Sequence, residues 1–347
     1  MKEKKNNKNY RHSFARKLTR RVMLVLFIMM GGLAYFTYKL TGVVVVNVCT
    51  NNFHSSMQSS GNIINGAMTD VTLAVNNNVF DIERNLGQPD RLQAIMERIV
   101  ELNPRVRSCG ISFIDSYYPQ KGRAFCPYAT QYDSLQAGTK AKGRTGNDYL
   151  EAEWFVEAVA VDSAYWSKPF FDSHDNKTPL VAYLYPIHDP QGNVVAILGA
   201  DLSLDFMTLL LHQQDSIFQD EIMPFHISGL GMLQSYVLTR DGTYITHPDQ
   251  RRILKANYYG HIRDDERPGM AQRIIDAMKN GEKSHGEDDK IVLVNRAKTL
   301  LFHSPLEGTD WMLLVSVPAW SLFIVGIVLG FLMLLLNIIV LMVTFFV

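Results

Sequence analysis

Leu180-Val181-Ala182-Tyr183-Leu184-Tyr185-Pro186, then Asp189-Pro190-Gln191-Gly192-Asn193, then residues 194–202 ending Gly199-Ala200-Asp201-Leu202: this stretch decides the fold. Two apolar runs rich in branched and aromatic side chains flank a segment dense in turn formers. They read as two antiparallel strands joined by a turn. Asp201 interrupts the apolar run at the end of the second strand. A carboxylate there must be paired, hydrogen-bonded, or capping the helix that follows.

The reading extends outward in both directions. Upstream, residues 108–114 and 123–128 predict another hairpin, with 118–122 as its turn. A short helix over 153–160 and a loop over 167–179 separate the two hairpins. Before them, Ile63, Ile64, Ala67, Met68, Val71, Ala74, Val75 and Phe80 recur at helical spacing, predicting a long helix over 50–85. A second helix over 91–102 ends before Pro104. Downstream, residues 202–220 turn helical. Strands over 235–239 and 244–246 flank Arg240-Asp241-Gly242-Thr243, a good hairpin turn. A helix over 270–279 and strands over 290–295, 299–304 and 311–317 complete the set. The two halves echo each other. Each has an early hairpin and a helical segment, then strands that run straight into a helix. The class is α+β, with two antiparallel sheets and helices segregated to one side.

Two uncharged apolar stretches bracket this region, residues 22–38 and 321–347 of a 347-residue chain. A spanning helix needs roughly 20 apolar residues to cross a ~30 Å hydrocarbon core. The second stretch is long enough. The first ends at Lys39, which can snorkel, or extends through Leu40 and residues 43–46. No small-x-small cleavage site follows it, which argues against a removed signal peptide. Residues 1–21 carry nine basic side chains against Glu3, a net of +8. The positive-inside rule puts this tail in the cytoplasm and the middle region outside. A basic arm for nucleic acid is a weak reading, because the charge abuts an apolar span. The whole chain has formal charge zero, so residues 22–347 carry −8. That field modestly favours cationic solutes, although it also serves solubility.

Metal-binding and hydrolytic signatures are missing. No His-x-x-x-His, His-Glu-x-x-His or Cys-x-x-Cys spacing occurs, and no phosphate-binding loop or Gly-x-Ser-x-Gly elbow. Nothing implies a cofactor. Cys109 and Cys126 fall on the two arms of the first hairpin. Placed opposite each other outside the cytoplasm they could form a disulfide; otherwise they are independent thiols.

Three segments together carry a resemblance. They are Glu153-Trp154-Phe155 with Trp166-Ser167-Lys168-Pro169-Phe170-Phe171-Asp172; the decisive hairpin; and residues 237–248, opening Val237-Leu238-Thr239 and closing His247-Pro248. In this order, between two apolar spans, the pattern resembles the double Cache sensor module of bacterial receptors. The resemblance implies a long N-terminal helix and two tandem PAS-like lobes, flanked by transmembrane helices. The division would be a basic tail over 1–21, a span over 22–48, the module over 49–319 and a second span over 320–347. Within the module, 50–85 is the long helix, 86–205 the membrane-distal lobe, 206–224 a linking helix and 225–319 the membrane-proximal lobe.

By the same resemblance, Trp154, Phe155, Phe170, Asp172 and Asp201 match the distal ligand pocket, with Trp166 and Tyr183 completing its wall. Aromatic faces and carboxylates suit a cation. Amino-acid binders of the family place an arginine two residues before the pocket tryptophan; here that position is Ala152. The ligand then tilts away from amino acids and toward an amine or an unrelated small molecule, because an α-carboxylate would lack its bidentate partner. The implied protein is a non-enzymatic, two-pass receptor of the bacterial inner membrane. Its partners are a small ligand, the lipid bilayer, a second copy of itself and a cytoplasmic output absent from this sequence. Two other readings stay open: an external enzyme using Asp172 and Asp201, and a structural or assembly protein whose lobes bind nothing.

Overall fold

The computed structural model describes residues 2–131, 139–141, 149–172, 177–222, 233–284, 291–320, 328, 330–332, 334–336, 338–339 and 342. One helix dominates it: α1, Lys2–Arg84, runs without a break through the basic tail, the first apolar stretch and the expected long helix. Its lower half buries Met57, Ile64, Met68, Val71, Val75, Val79 and Ile82, spaced three, four or seven apart. That stripe is what holds so long a helix in place, since propensity alone contributes little without tertiary packing. Phe80 is not part of it. At 65% exposure it points outward under the Arg84 guanidinium, and Val79 and Ile82 take its place. Among the described residues, no helix is long and apolar enough to cross a membrane. Both apolar stretches include positions whose side chains lie outside the described set.

After α1 comes α2, Pro89–Leu102, started by proline in its first turn and burying Leu92, Met96, Ile99 and Val100. The strands and helices that follow are β1, Ser108–Phe113; β2, Tyr128–Gln131; β3, Thr139–Ala141; α3, Glu153–Val161; β4, Tyr165–Trp166; and β5, Phe170–Phe171. The decisive hairpin is β6, Pro179–His188, and β7, Val194–Ser203. Its turn closes as expected, with Gly192 at φ 85° and the Asp189 carboxylate accepting from the Gln191 and Asn193 amides. These strands form one antiparallel sheet in the order β3-β2-β1-β7-β6-β4, with β5 also pairing on β6.

The chain leaves β7 directly into α4, Leu204–Ile222. A second antiparallel sheet contains β8, Gln234–Thr239; β9, Ile262–Arg263; β10, Ile291–Val294; β11, Ala297–Pro305; and β12, Trp311–Pro318, in the order β8-β12-β11-β10-β9. Between β9 and β10 lies α5, Met270–Lys279. The α+β class and the antiparallel sheets agree with the sequence reading, but the helices are not segregated to one side: α5 packs on the face of the second sheet turned away from α1. One apolar core runs along α1 and joins its stripe to inward residues of both sheets, among them Cys109, Ile111, Val181 and Leu198 of the first and Phe302, Leu313 and Val315 of the second.

Two local expectations need correction, and a third point bears on an alternative the sequence left open. The 123–128 arm is not a strand; β2 begins only at Tyr128. The arm follows β1 by accepting bonds from Ile111, Phe113 and Ser116 amides at the carbonyls of Pro127, Phe125 and Arg123. Pro127 has no N–H to return, so no regular ladder forms. Residues 244–246 are not a strand either. The Ile245 and Thr246 amides both turn onto the Val237 carbonyl, and the Thr246 hydroxyl accepts from the Val237 amide at 2.7 Å, so the chain curls over β8.

The third point concerns Cys109 and Cys126, which are both buried and are not joined by a disulfide. Cys109 pairs in register with Ala129 and faces α2, its sulfur 3.5 Å from Met96 Sδ. Cys126 lies on the opposite face of the sheet, 3.4 Å from the Ser112 hydroxyl and in the cluster with Phe155, Ala182 and Ile197. Thiols on opposite faces cannot present the Cβ geometry a disulfide requires.

Candidate ligand-binding cavity

Side chains alternate across the first sheet, and one face is unusually bare. On β1 the odd residues Cys109, Ile111 and Phe113 pack toward the helices, leaving Gly110 and Ser112 on the far side. On β7 the far side carries Ile197, Gly199 and Asp201; on β6 it carries Leu180, Ala182 and Leu184. Gly110 and Gly199 are register partners on adjacent central strands. Two glycines side by side bring no side chains of their own to this strip, which is approached by the Tyr128 ring at Gly110 and by Leu184 at Gly199. The result is a cavity of about 980 Å³.

Its walls come from α3 and the edge strands. Tyr149 pins the start of α3: its hydroxyl reaches the carbonyls of Phe113 at 2.7 Å and Phe125 at 2.9 Å, and its ring meets Phe155 edge-on at 5.1 Å. The helix thereby turns Glu153, Trp154 and Glu157 toward the cavity. The loop after β4 is stitched down by Ser167, which exchanges bonds with Ala182: its amide donates to the Ala182 carbonyl and its hydroxyl accepts from the Ala182 amide. This positions Phe170 and Asp172 along the rim.

The structure brings together five of the seven residues singled out from sequence: Trp154, Trp166, Phe170, Asp172 and Asp201 all line the cavity. Trp166 borders it from β4, but its ring packs against Tyr183 at 5.4 Å on the helix-facing side. The other two lie elsewhere. Phe155 is 5% exposed and fills the core beneath α3. Tyr183 is on the helix-facing side of β6, where its hydroxyl meets Asn76 of α1. Ala182, the next residue, is the one that faces the cavity. Asp201 does not cap α4; the Ser203 hydroxyl receives the Phe206 amide instead. Asp201 is held by the Ser108 hydroxyl across the β1–β7 pair, on the cavity face. Burial pushes the neighbouring Cys109 thiol up, and the Asp201 charge pushes it further the same way.

Several lining residues escaped the sequence reading. Tyr128 and Tyr165 add aromatic wall, and Gly110 and Gly199 make the hollow. Glu153 and Glu157 are a like-charged pair four apart on α3, a spacing that disfavours an isolated helix. That mismatch was a readable signal. The lining carries five carboxylates, on Glu153, Glu157, Asp172, Asp201 and Asp310, against two cations, Lys168 and Arg240. At position 152 the structure places alanine at the N-cap of α3, with no guanidinium there. Among the described residues, no group of three or more His, Cys, Asp or Glu side chains could hold a metal ion.

Comparison with known proteins agrees with this architecture. Residues 92–209 match the family described as methyl-accepting chemotaxis protein-like, first PDC sensor domain. The fold is similar to the extracellular domain of soHK1S-Z6, a protein assigned as a histidine kinase, at 18% identity, covering 81% of this chain and 98% of that one, with a TM-score of 0.60. It is also similar to the periplasmic sensory domain of the Campylobacter jejuni chemoreceptor Tlp1, at 16% identity, 83% and 98% coverage and a TM-score of 0.53. A third likeness is to the ligand-binding domain of the Pseudomonas fluorescens chemoreceptor CtaA in complex with L-serine, at 16% identity, 78% and 98% coverage and a TM-score of 0.51. No curated protein matches the sequence. Residues 92–209 thus resemble a PDC sensor domain, and the chain shares the fold of these sensory domains.

Proposed function

We propose that this chain is the sensory region of a two-pass bacterial membrane receptor that binds a small amine in the cavity of its first lobe. The observation that carries the reading is the cavity itself. It is hollowed by paired glycines, walled by Trp154, Tyr165 and Phe170, and lined by five carboxylates against two cations. A desolvated ammonium over aromatic faces gains about 0.5–2 kcal/mol, and Asp201 adds a charge-assisted hydrogen bond. The CtaA likeness brings an amino acid into consideration, but alanine at position 152 leaves a carboxylate without the expected partner.

Apolar side chains such as Leu24, Phe27, Ile28, Met29, Leu33 and Phe36 surround α1 and are exposed, as are Phe331, Leu332 and Leu335 near the other end. Lipid covers both sets in this reading, with the basic tail in the cytoplasm and the two sheets outside. A second copy pairs alongside α1, and the second apolar segment carries the signal to a cytoplasmic output. A ligand moves such a system only by binding one conformation more tightly, and about 1–3 kcal/mol of coupling suffices.

Titration calorimetry on the full chain in lipid nanodiscs tests the reading, with panels of primary amines, amino acids and dicarboxylates. The expected result is binding by at least one amine, weakened ~10-fold or more, about 1.4 kcal/mol, by Asp201→Asn. Binding by dicarboxylates with none by amines contradicts it.

A further inference from the structure

The first sheet does not enclose its cavity alone. Part of the wall comes from the second sheet: Thr239 and Arg240 at the end of β8, and residues 308–311 leading into β12. These two segments are neighbours because Thr239 pairs with Trp311. The 308–311 turn is fixed from within. Gly308 takes φ 72°, the Thr309 hydroxyl donates to the Leu306 carbonyl at 3.2 Å, and the Trp311 amide donates to that hydroxyl at 3.2 Å. Asp310 is therefore presented from a rigid turn. Its exposed carboxylate has no hydrogen bond or ion pair among the described residues. Arg240 forms no ion pair with it; its guanidinium lies against Gly281.

A second contact joins the two sheets at the same place. Lys255 of the second half sits 5.1 Å from the centre of the Phe171 ring. Phe171 is flanked by Phe170 and Asp172, both of which line the cavity. The volume matters too. At about 980 Å³ the cavity lies at the upper end of the ~300–1,000 Å³ that ligand pockets span. A compact monoamine anchored at Asp201 would leave most of that space, and Asp310, unused.

We infer that the ligand is read by both sheets and is an elongated aliphatic cation charged at each end, one nitrogen held at Asp201 among the aromatic walls and the other at Asp310 of the second sheet. This rests on the amine reading above and gives it a coupling device. A ligand that bridges the two sheets favours whichever arrangement sets both carboxylates at its own length, so its binding energy acts directly on the sheet that leads into the second apolar stretch.

The test uses the full chain in nanodiscs, titrated with straight-chain diamines from diaminopropane to diaminooctane and with the monoamine of matching length. Affinity is expected to rise with diamine length, and the best diamine to exceed its matched monoamine by ~10-fold or more. Asp310→Asn, an exposed substitution, is expected to erase that excess, so that each diamine binds the variant no better than its matched monoamine does. If Asp310→Asn changes nothing at any length while Asp201→Asn weakens every amine, the bridging inference fails and the amine reading stands. If no amine of any length binds, both fail.

Discussion

The two sheets solve the same packing problem differently on the face turned away from α1. The second sheet fills that face. Tyr236, Leu238, Leu301, Met312 and Leu314 stand on its strands and meet Met270, Ile274 and Met278 of α5. The first sheet packs only a small cluster there, Ala182, Leu184 and Ile197 against Phe155 and Ala158 of α3, and keeps a cavity beside Gly110 and Gly199. Both sheets twist and pair alike, so topology does not distinguish a binding lobe from a filled one. Side-chain volume on two central strands does. The hollow persists because α3 is propped away from the glycine strip by Tyr149 and Phe155, and because the polar atoms that face it are held by the sheet, as Asp201 is by Ser108.

That contrast can be broken from either side. Carving the filled sheet has the largest expected effect. Leu314→Ala removes a fully buried side chain from the α5 core and should cost about 2–5 kcal/mol of stability. Denaturant unfolding measures it, and amine affinity should be unchanged. A loss of affinity without a loss of stability would mean the sheets do not divide these roles.

Filling the hollow sheet comes next. Gly199→Leu places a side chain on the glycine strip, against Leu184. It should lower amine affinity by ~100-fold, about 2.7 kcal/mol, while circular dichroism stays native. Retained affinity would show that the ligand sits elsewhere.

The smallest effect concerns the junction between the sheets. Asp215 of α4 is buried against β8, where it accepts from the Ser235 amide at 2.8 Å and the Ser235 hydroxyl at 2.6 Å. Burial pushes its carboxyl up to about 6; the Ser235 bonds and the charge of His212 oppose this without cancelling it. Its contribution is therefore full at low pH and lost as pH rises through about 6. Between pH ~4 and ~7, wild type should lose on the order of 2 kcal/mol relative to Asp215→Asn. A wild-type advantage that grows over that range would contradict this.

Much of the fold was legible because its signals are local. The β6–β7 hairpin, α2 and α5 all announce themselves by periodicity and turn residues, and α5 matches its sequence-predicted bounds. The failures share a cause. Which face a strand residue takes depends on register, and register is set by partners distant in sequence. Tyr183 and Ala182 are adjacent, yet only Ala182 meets the cavity. Cys109 and Cys126 sit on neighbouring arms but face opposite sides. The 123–128 arm failed for a different reason, visible in hindsight at Pro127. The part of the cavity wall from β8 and the 308–311 turn was beyond local reading, because it is made by packing one sheet against the end of another.

A structure of the full chain with a bound primary amine would test the central claim most directly. The account predicts the ammonium nitrogen within about 3 Å of an Asp201 carboxylate oxygen, over the Gly110–Gly199 strip. An amine bound on the α5 side of the second sheet, with the first sheet's cavity holding only water, would contradict it.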